Sequence, residues 1–230
     1  MMVIVDYGMG NLRSVSKALE SLGAALRVSG DPGDVAKAEK LILPGVGAFP
    51  AAMRELGSRK LVEPIKAAIA SGKPYLGICL GLQLLFDRSE EGEGGPGLAV
   101  LPGTVRRFTC HSSLVTRHSK LKIPHMGWNQ VTRSQKSEVR SQAEQRVQIL
   151  SEAQRENGCP LLAGIPDGSF VYFVHSYYAD PADRAMIALE SDYGVRFAAM
   201  VWRGNLFATQ FHPEKSQAVG LQLLKNFVEL

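Results

Sequence analysis

The stretch KPYLGICLGLQLLF, Lys73 to Phe86, decides the fold. It reads as a short apolar strand, a turn Gly77-Ile78-Cys79-Leu80-Gly81, and then an apolar helix. A G-x-C-x-G turn between strand and helix is the thiol version of a nucleophile elbow. A glycine on either side of the cysteine relieves crowding at the sharp bend. The turn lifts the Cys79 side chain out of the sheet at the carboxyl end of its strand, the edge where open α/β sheets bind ligands. A helix starting near Leu80 turns its positive end toward the sulfur and favours the thiolate. The Leu80 N–H is then placed to bind an oxyanion. A buried structural cysteine, the commonest fate of a free thiol, is the alternative.

Working outward, residues 2–5 read as a strand. Leu12, Val15, Leu19 and Leu22 have helical spacing within Asn11–Leu22, and Gly23 closes that helix. Ala24–Val28 and Lys40–Leu43 are further strands. Helical patterns follow at Phe49–Leu56 and Leu61–Ala70, before the cysteine turn. Strands and helices alternating at this pace predict a parallel sheet covered on both faces. The second half consists of short strand-like runs: Val105–Phe108, Trp128–Thr132, Phe170–Val174, Met186–Leu189, Ala198–Trp202 and Leu206–Phe211. Arg203-Gly204-Asn205 is a turn, and Gln217–Val228 is a closing helix. The expected fold class is α/β: three layers, a mostly parallel central sheet with helices on both faces, and antiparallel strands added to the same sheet. Residues 1–230 are expected to form a single domain. Residues 133–157, rich in Gln, Ser, Glu and Arg, are read as an exposed insertion.

Hydrophobic residues make up 45% of the 230 and charged residues 21%, which suits a folded core. No apolar run approaches the ~18 residues of a membrane span. The N-terminal MMVIVDYGMGNLRS reads as a first strand, not a signal peptide. Three cysteines (Cys79, Cys110, Cys159) argue against a disulfide framework, for a reducing compartment and so for the cytoplasm. Of the net charge of +4, residues 104–157 carry +6 and the remainder −2. The basic character belongs to one segment, so no nucleic-acid footprint is expected.

A thiol nucleophile needs a base, and the base an orienting group. In ATQFHPEKS, Ala208 to Ser216, an apolar strand runs into His212, Pro213 fixes the backbone, and Glu214 follows. At strand-like spacing Glu214 holds one imidazole nitrogen while the other faces Cys79. A strand-end histidine with only a structural role is the alternative. The apolar strand Leu41-Ile42-Leu43 ends in Pro44-Gly45-Val46-Gly47, whose N–H groups near Val46 and Gly47 offer a second oxyanion donor, unless this is an ordinary βα turn. Competing motifs fail. Gly8-Met9-Gly10 lacks the third glycine of a dinucleotide fingerprint, since Arg13 stands in its place. No histidine or cysteine spacing suits zinc, so neither metal nor cofactor is expected.

Together PGVG, GICLGLQLLF and FHPEKS resemble the class I (triad) glutamine amidotransferases. Asp6-Tyr7-Gly8-Met9-Gly10-Asn11, PHMGWN (Pro124–Asn129) and FVHSYY (Phe173–Tyr178) are similar to one branch, the glutaminase subunits of imidazole glycerol phosphate synthase. The resemblance implies hydrolysis of the L-glutamine side-chain amide by Cys79, His212 and Glu214. It places Gln83 and Glu91 near the substrate ammonium and the His175-Ser176-Tyr177 backbone along the substrate. It also implies a heterodimer with a (β/α)8 cyclase subunit that receives the ammonia. Asn11, Trp128, Tyr172 and Lys215 fall at or near that interface, although Trp128 would also suit a core. A glutaminase subunit for another acceptor, in anthranilate or pyridoxal phosphate synthesis, is a rival. So are a catalytically silent scaffold and a stand-alone thiol peptidase.

Overall fold

A computed structural model describes residues 1–109, 122–134 and 158–230. The first half runs β1 (Met2–Val5), α1 (Leu12–Ser21), β2 (Leu26–Ser29), α2 (Pro32–Lys37), β3 (Lys40–Gly45), α3 (Phe49–Ser58), α4 (Val62–Ala70), β4 (Tyr75–Cys79) and α5 (Leu80–Gln83). The second half runs β5 (Phe86–Ser89), β6 (Gly95–Pro96), β7 (Leu101–Arg107), β8 (His125–Gln130), β9 (Thr132–Arg133), β10 (Phe170–His175), β11 (Tyr177–Pro181), β12 (Ile187–Asp192), β13 (Arg196–Arg203), β14 (Leu206–Thr209) and α6 (Gln217–Glu229).

The main sheet has the order β2-β1-β3-β4-β14-β13-β12-β9. Its first five strands are mutually parallel, and β13, β12 and β9 are added antiparallel. The period of two along each strand separates two apolar cores. Val3, Val5, Leu41 and Leu43 face Phe49, Leu56 and Ile65 of the α3–α4 layer. Ile4, Ile42, Leu76 and Ile78 share the opposite core with Val15 and Leu19 of α1 and Leu223, Leu224 and Phe227 of α6. β4, buried along its whole length, reads as an unbroken apolar run because both of its faces are covered. Among the described residues no helix is long and apolar enough to cross a membrane.

Several expectations change. The helix after Cys79 is a single turn, not a helix running to Phe86. The Leu84, Leu85 and Phe86 carbonyls accept hydrogen bonds from Leu98, Val100 and Ala99, so the chain turns into β5 instead. The macrodipole expected at the sulfur is correspondingly short, and the first-turn N–H groups are what remain of it. The antiparallel additions do not all join one sheet. β8 and β10 form a separate two-stranded ribbon, and β5, β6, β7 and β11 form a four-stranded sheet. Strand β14 ends at Thr209, before Phe211. Helix α2 was not expected, although Asp31 accepts from the Gly33 and Asp34 N–H groups and Pro32 opens its first turn. Of the insertion expected over 133–157, Arg133 instead belongs to the fold. Arg133 pairs with Leu189 at the sheet edge, and its guanidinium donates to the Leu162 and Ile165 carbonyls. Residues 135–157 lie outside the described residues.

Candidate active site

β4 stops at Cys79, whose backbone has φ 56° and ψ −106°. A side-chain-bearing residue holds such a conformation at a cost of about 1–3 kcal/mol, and such strain clusters at functional sites. The flanking glycines are there for space. A Cβ on Gly81 would overlap the Leu43 carbonyl oxygen, and one on Gly77 would lie 2.7 Å from the Gly81 oxygen. β3 runs beside β4 with Gly45 opposite Cys79, so the Val46-Gly47 turn stands next to the elbow. On the other side β14 pairs with β4, and the chain continues through Gln210 and Phe211 to His212.

The imidazole of His212 is nearly buried, and its Nδ1 lies 2.9 Å from Glu214 Oε1, also buried. Glu214 reaches it from a 3-10 turn, Pro213–Lys215, not from the extended strand spacing expected of the sequence. The His212 backbone is pinned to the ribbon: its N–H donates to the Tyr172 carbonyl, and the Ser216 hydroxyl donates to its carbonyl while accepting the Tyr172 N–H. Burial works to lower the His212 pKa. Hydrogen bonding and charge from Cys79 and Glu214 outweigh it and raise the pKa to about 10. Among the described residues the Cys79 sulfur is the group that acts on His212 Nε2, in a contact looser than a closed hydrogen bond; such contacts commonly tighten only on substrate binding.

Cys79 and His212 open on one cavity of about 380 Å³. Val46, Gly47, Leu80, Gln83 and Glu91 line it too, and His175, Ser176 and Tyr177 form its far wall with Pro124 and Val174. Every residue expected to bind substrate or an oxyanion therefore meets at this cavity, with Glu214 just behind it. Glu91 has one oxygen committed to the Phe49 N–H at the start of α3. Gln83 Nε2 donates to the Tyr177 carbonyl and to Gln210 Oε1, which leaves its own Oε1 as the acceptor.

Sequence reasoning missed three residues here. Gln210 Nε2 lies 3.8 Å from the Cys79 sulfur. His125 Nδ1 lies 3.0 Å from His175 Nε2. Among the described residues the buried Tyr7 hydroxyl has no partner, and burial, then the Cys79 charge, raises its pKa, so it stays a neutral phenol. Gln210 sits inside the quoted ATQFHPEKS, two residues from His212, where its position was the available signal. Burial pushes His175 down to about 3 and His125 to about 4, so both are neutral near pH 7.

The residues expected at an interface divide. Trp128 and Tyr172 are cross-strand partners with ring centroids 6.1 Å apart, and Lys215 Nζ lies 5.8 Å from the Tyr172 centroid. Met126 and Phe170, 62% and 56% exposed, share that outer face of the ribbon. Val171 and Phe173, pointing inward, are fully buried. Trp128 is thus surface and not core. Asn11 stands at the start of α1, where its Oδ1 accepts from the Ser14 hydroxyl.

A family model described as "Glutamine amidotransferase class-I" matches residues 3–230. The "Imidazole glycerol phosphate synthase subunit HisH" of Syntrophotalea carbinolica is 49% identical over 230 residues, covering 100% of both chains. That of Aromatoleum aromaticum is 49% identical over 227 residues, 98% of this chain and 96% of its own. Among solved structures, PurLQS from Thermotoga maritima superposes with a TM-score of 0.64 at 19% identity, covering 99% of this chain and 95% of that one. This last likeness is one of fold.

Proposed function

Since the chain belongs to the class-I glutamine amidotransferases, in the branch of the HisH subunits, we propose that it is the glutaminase subunit of an imidazole glycerol phosphate synthase. Its cavity hydrolyses the side-chain amide of L-glutamine. The ammonia passes to a (β/α)8 cyclase subunit, which makes imidazole glycerol phosphate and an aminoimidazole carboxamide ribotide in histidine biosynthesis. The observation that carries the reading is the meeting of Cys79 and His212 on one cavity, with Glu214 bonded to the imidazole nitrogen.

The proton shed by the Cys79 thiol is held on His212 Nε2, and the sulfur attacks the carboxamide carbon. The carbonyl π pair moves to oxygen, where N–H groups of Leu80, Val46 and Gly47 hold it; removal of one such donor typically costs about 3–4 kcal/mol of barrier. The tetrahedral species collapses as His212 returns the proton to the departing nitrogen, giving ammonia and a glutamyl thioester. Water, deprotonated by His212, then attacks the thioester, and glutamate leaves as the thiol re-forms. Glu214 holds the ring and stabilises the imidazolium at each stage. At the far end of the substrate, the free Gln83 Oε1 and the Glu91 carboxylate receive the ammonium, and the Ser176-Tyr177 backbone borders the chain.

Ammonia released into water at neutral pH is protonated and no longer a nucleophile. Direct transfer to a partner avoids that loss. The face of exposed Met126, Trp128 and Phe170 beside half-buried Tyr172, with Lys215 at its edge, supports docking of the cyclase on the ribbon that pins His212. Asn11 is assigned to the same interface by family likeness. Full-length identity to HisH subunits favours this acceptor over those of anthranilate or pyridoxal phosphate synthesis.

The test is ammonia release from glutamine by the chain alone, with a cognate cyclase, and with the cyclase and its ligand. The rate is expected to rise at each step and to vanish in Cys79→Ala. Full turnover by Cys79→Ala, or a rate indifferent to the ligand-loaded cyclase, overturns the proposal. Peptide cleavage without a partner would identify a thiol peptidase instead.

A further inference from the structure

Resting on the reading of Cys79 as nucleophile, we propose that Gln210 is a further catalytic residue: its side-chain amide donates to the Cys79 sulfur, as the last link of a hydrogen-bonded chain that runs inward from half-buried Asn129.

Two backbone carbonyls, which can only accept, fix the polarity of the chain. At one end Asn129 Nδ2 gives one proton to the Asp192 carbonyl, 2.8 Å away, and approaches His125 Nε2 at 3.3 Å. At the middle, the Tyr177 carbonyl lies 2.8 Å from His175 Nδ1, so Nδ1 carries the proton. His175 Nε2 must then accept, and its partner at 3.0 Å is His125 Nδ1. His125 is left with Nε2 as acceptor, which Asn129 satisfies. Both rings are neutral, so this assignment holds at physiological pH.

The same Tyr177 carbonyl takes a proton from Gln83 Nε2 at 2.9 Å, and the second Gln83 proton goes to Gln210 Oε1 at 3.1 Å. The Gln210 carboxamide is therefore oriented: oxygen toward Gln83, nitrogen toward the sulfur at 3.8 Å. Gln210 is wholly buried and Gln83 nearly so, which leaves no water to stabilise the flipped amide.

The sulfur needs such a donor. Cys79 is 7% exposed, so its anion has little access to water. Besides His212, its other polar contact among the described residues is the Val174 carbonyl at 3.9 Å, an acceptor that suits the thiol and opposes the thiolate. When the proton leaves for His212, Gln210 supplies the neutral donor that the anion requires. His125, His175 and Gln83 act through it as positioning residues.

The experiment uses the full chain assembled with its cyclase. Alkylation of Cys79 by iodoacetamide is followed against pH by mass spectrometry, beside kcat and KM for glutamine. Cys159, buried and with its pKa raised by burial to about 12, serves as an internal reporter of folding. Gln210→Met removes the donor and keeps the volume. The pH of half-maximal alkylation rate is expected to rise by about one unit, the tenfold equivalent of one lost charge-assisted contact. Gln210→Glu keeps the shape, adds a negative charge beside the sulfur, and is expected to shift it further. In both, kcat falls about tenfold or more with KM changed less than threefold.

Wild-type alkylation curves in a variant that keeps Cys159 protected overturn the proposal. A measurement on the unaltered chain does not depend on variant folding: the Gln210 side-chain amide protons should move in NMR spectra as Cys79 ionises, and signals that stay fixed also overturn it. If Cys79→Ala remains a glutaminase, the nucleophile reading itself fails. If Cys79→Ala is dead and the Gln210 variants are unaffected, this inference alone fails.

Discussion

Glu214→Gln isolates the carboxylate's charge from its geometry. The amide oxygen of a glutamine can still accept from His212 Nδ1, now 2.9 Å from Glu214 Oε1, and its volume matches. What disappears is a negative charge beside an imidazolium in a site where both side chains are almost entirely buried. A hydrogen bond to a charged group contributes roughly 1.5–3 kcal/mol. At about 1.4 kcal/mol per factor of ten, kcat/KM for glutamine should fall about 10- to 150-fold. The His212 pKa, about 10 in the intact site, should fall as well, moving the alkaline limb of activity to lower pH. The sign in stability follows. A histidine whose folded pKa is raised contributes stability that is fully present below its unfolded value near 6.5, and loses it as pH rises through about 10. Glu214→Gln should therefore lose less stability than the wild type between those limits. The assays are ammonia release by the cyclase complex across pH and thermal unfolding of the free chain across the same range. A kcat/KM within threefold of wild type, with an unmoved alkaline limb, would refute the role given to Glu214.

Gly81→Ala forces a methyl into the Leu43 carbonyl; it should destabilise by about 3 kcal/mol, read as a lower midpoint in urea, and abolish glutaminase activity. Trp128→Ala should weaken cyclase binding about 30-fold, the usual effect of removing an interface tryptophan, and leave the unfolding temperature unchanged, as titration calorimetry and thermal melts will show. His125 and His175 have depressed folded pKa values, so the unfolded chain binds more protons below about 6.5 and stability falls as pH drops toward 4. His125→Gln should flatten that acid slope by up to about 1.4 kcal/mol per pH unit, measurable by urea titration at a series of pH values.

The parallel half of the fold was legible because its signals are local. Unbroken apolar runs, capping glycines and the G-x-C-x-G turn each report on their own neighbourhood, and β1, β3, β4, α1, α3 and α4 fall close to their expected places. α2 was legible too, in Asp31-Pro32, but at six residues it is too short for a periodic stripe. The one-turn α5 was not. Leu82, Leu84, Leu85 and Phe86 look helical because they are apolar on every side, and only the distant carbonyl contacts with residues 98–101 tell otherwise. The assignment of the antiparallel strands to three sheets was illegible for the same reason, since alternation reveals a face and not a partner. At the site, the cysteine, histidine and carboxylate of the triad were read from their own chemistry, and Gln83, Glu91 and His175 from family resemblance. Gln210 and His125 were reached by neither, because an amide or a neutral imidazole has no chemistry of its own until its neighbours fix which atom donates.

The two kinds of sheet divide the work. Parallel strands β3, β4 and β14 end together and hold the PGVG turn, Cys79 and, a short way beyond, His212. That arrangement puts sulfur, imidazole and carboxylate in place but closes only one side of the cavity. The ribbon of β8 and β10 closes the other side, and it does so with inward residues that reach the site and outward residues that reach solvent. His175 faces in and joins the chain to Gln210. Tyr172 faces out beside Trp128, yet its backbone holds the His212 N–H and meets Ser216. A partner pressing on the outer face would thus touch the strand that carries the substrate wall and holds the His212 backbone by a hydrogen bond. On the proposed reading no long pathway is needed between that face and His212, because the Tyr172 carbonyl accepts the His212 N–H directly.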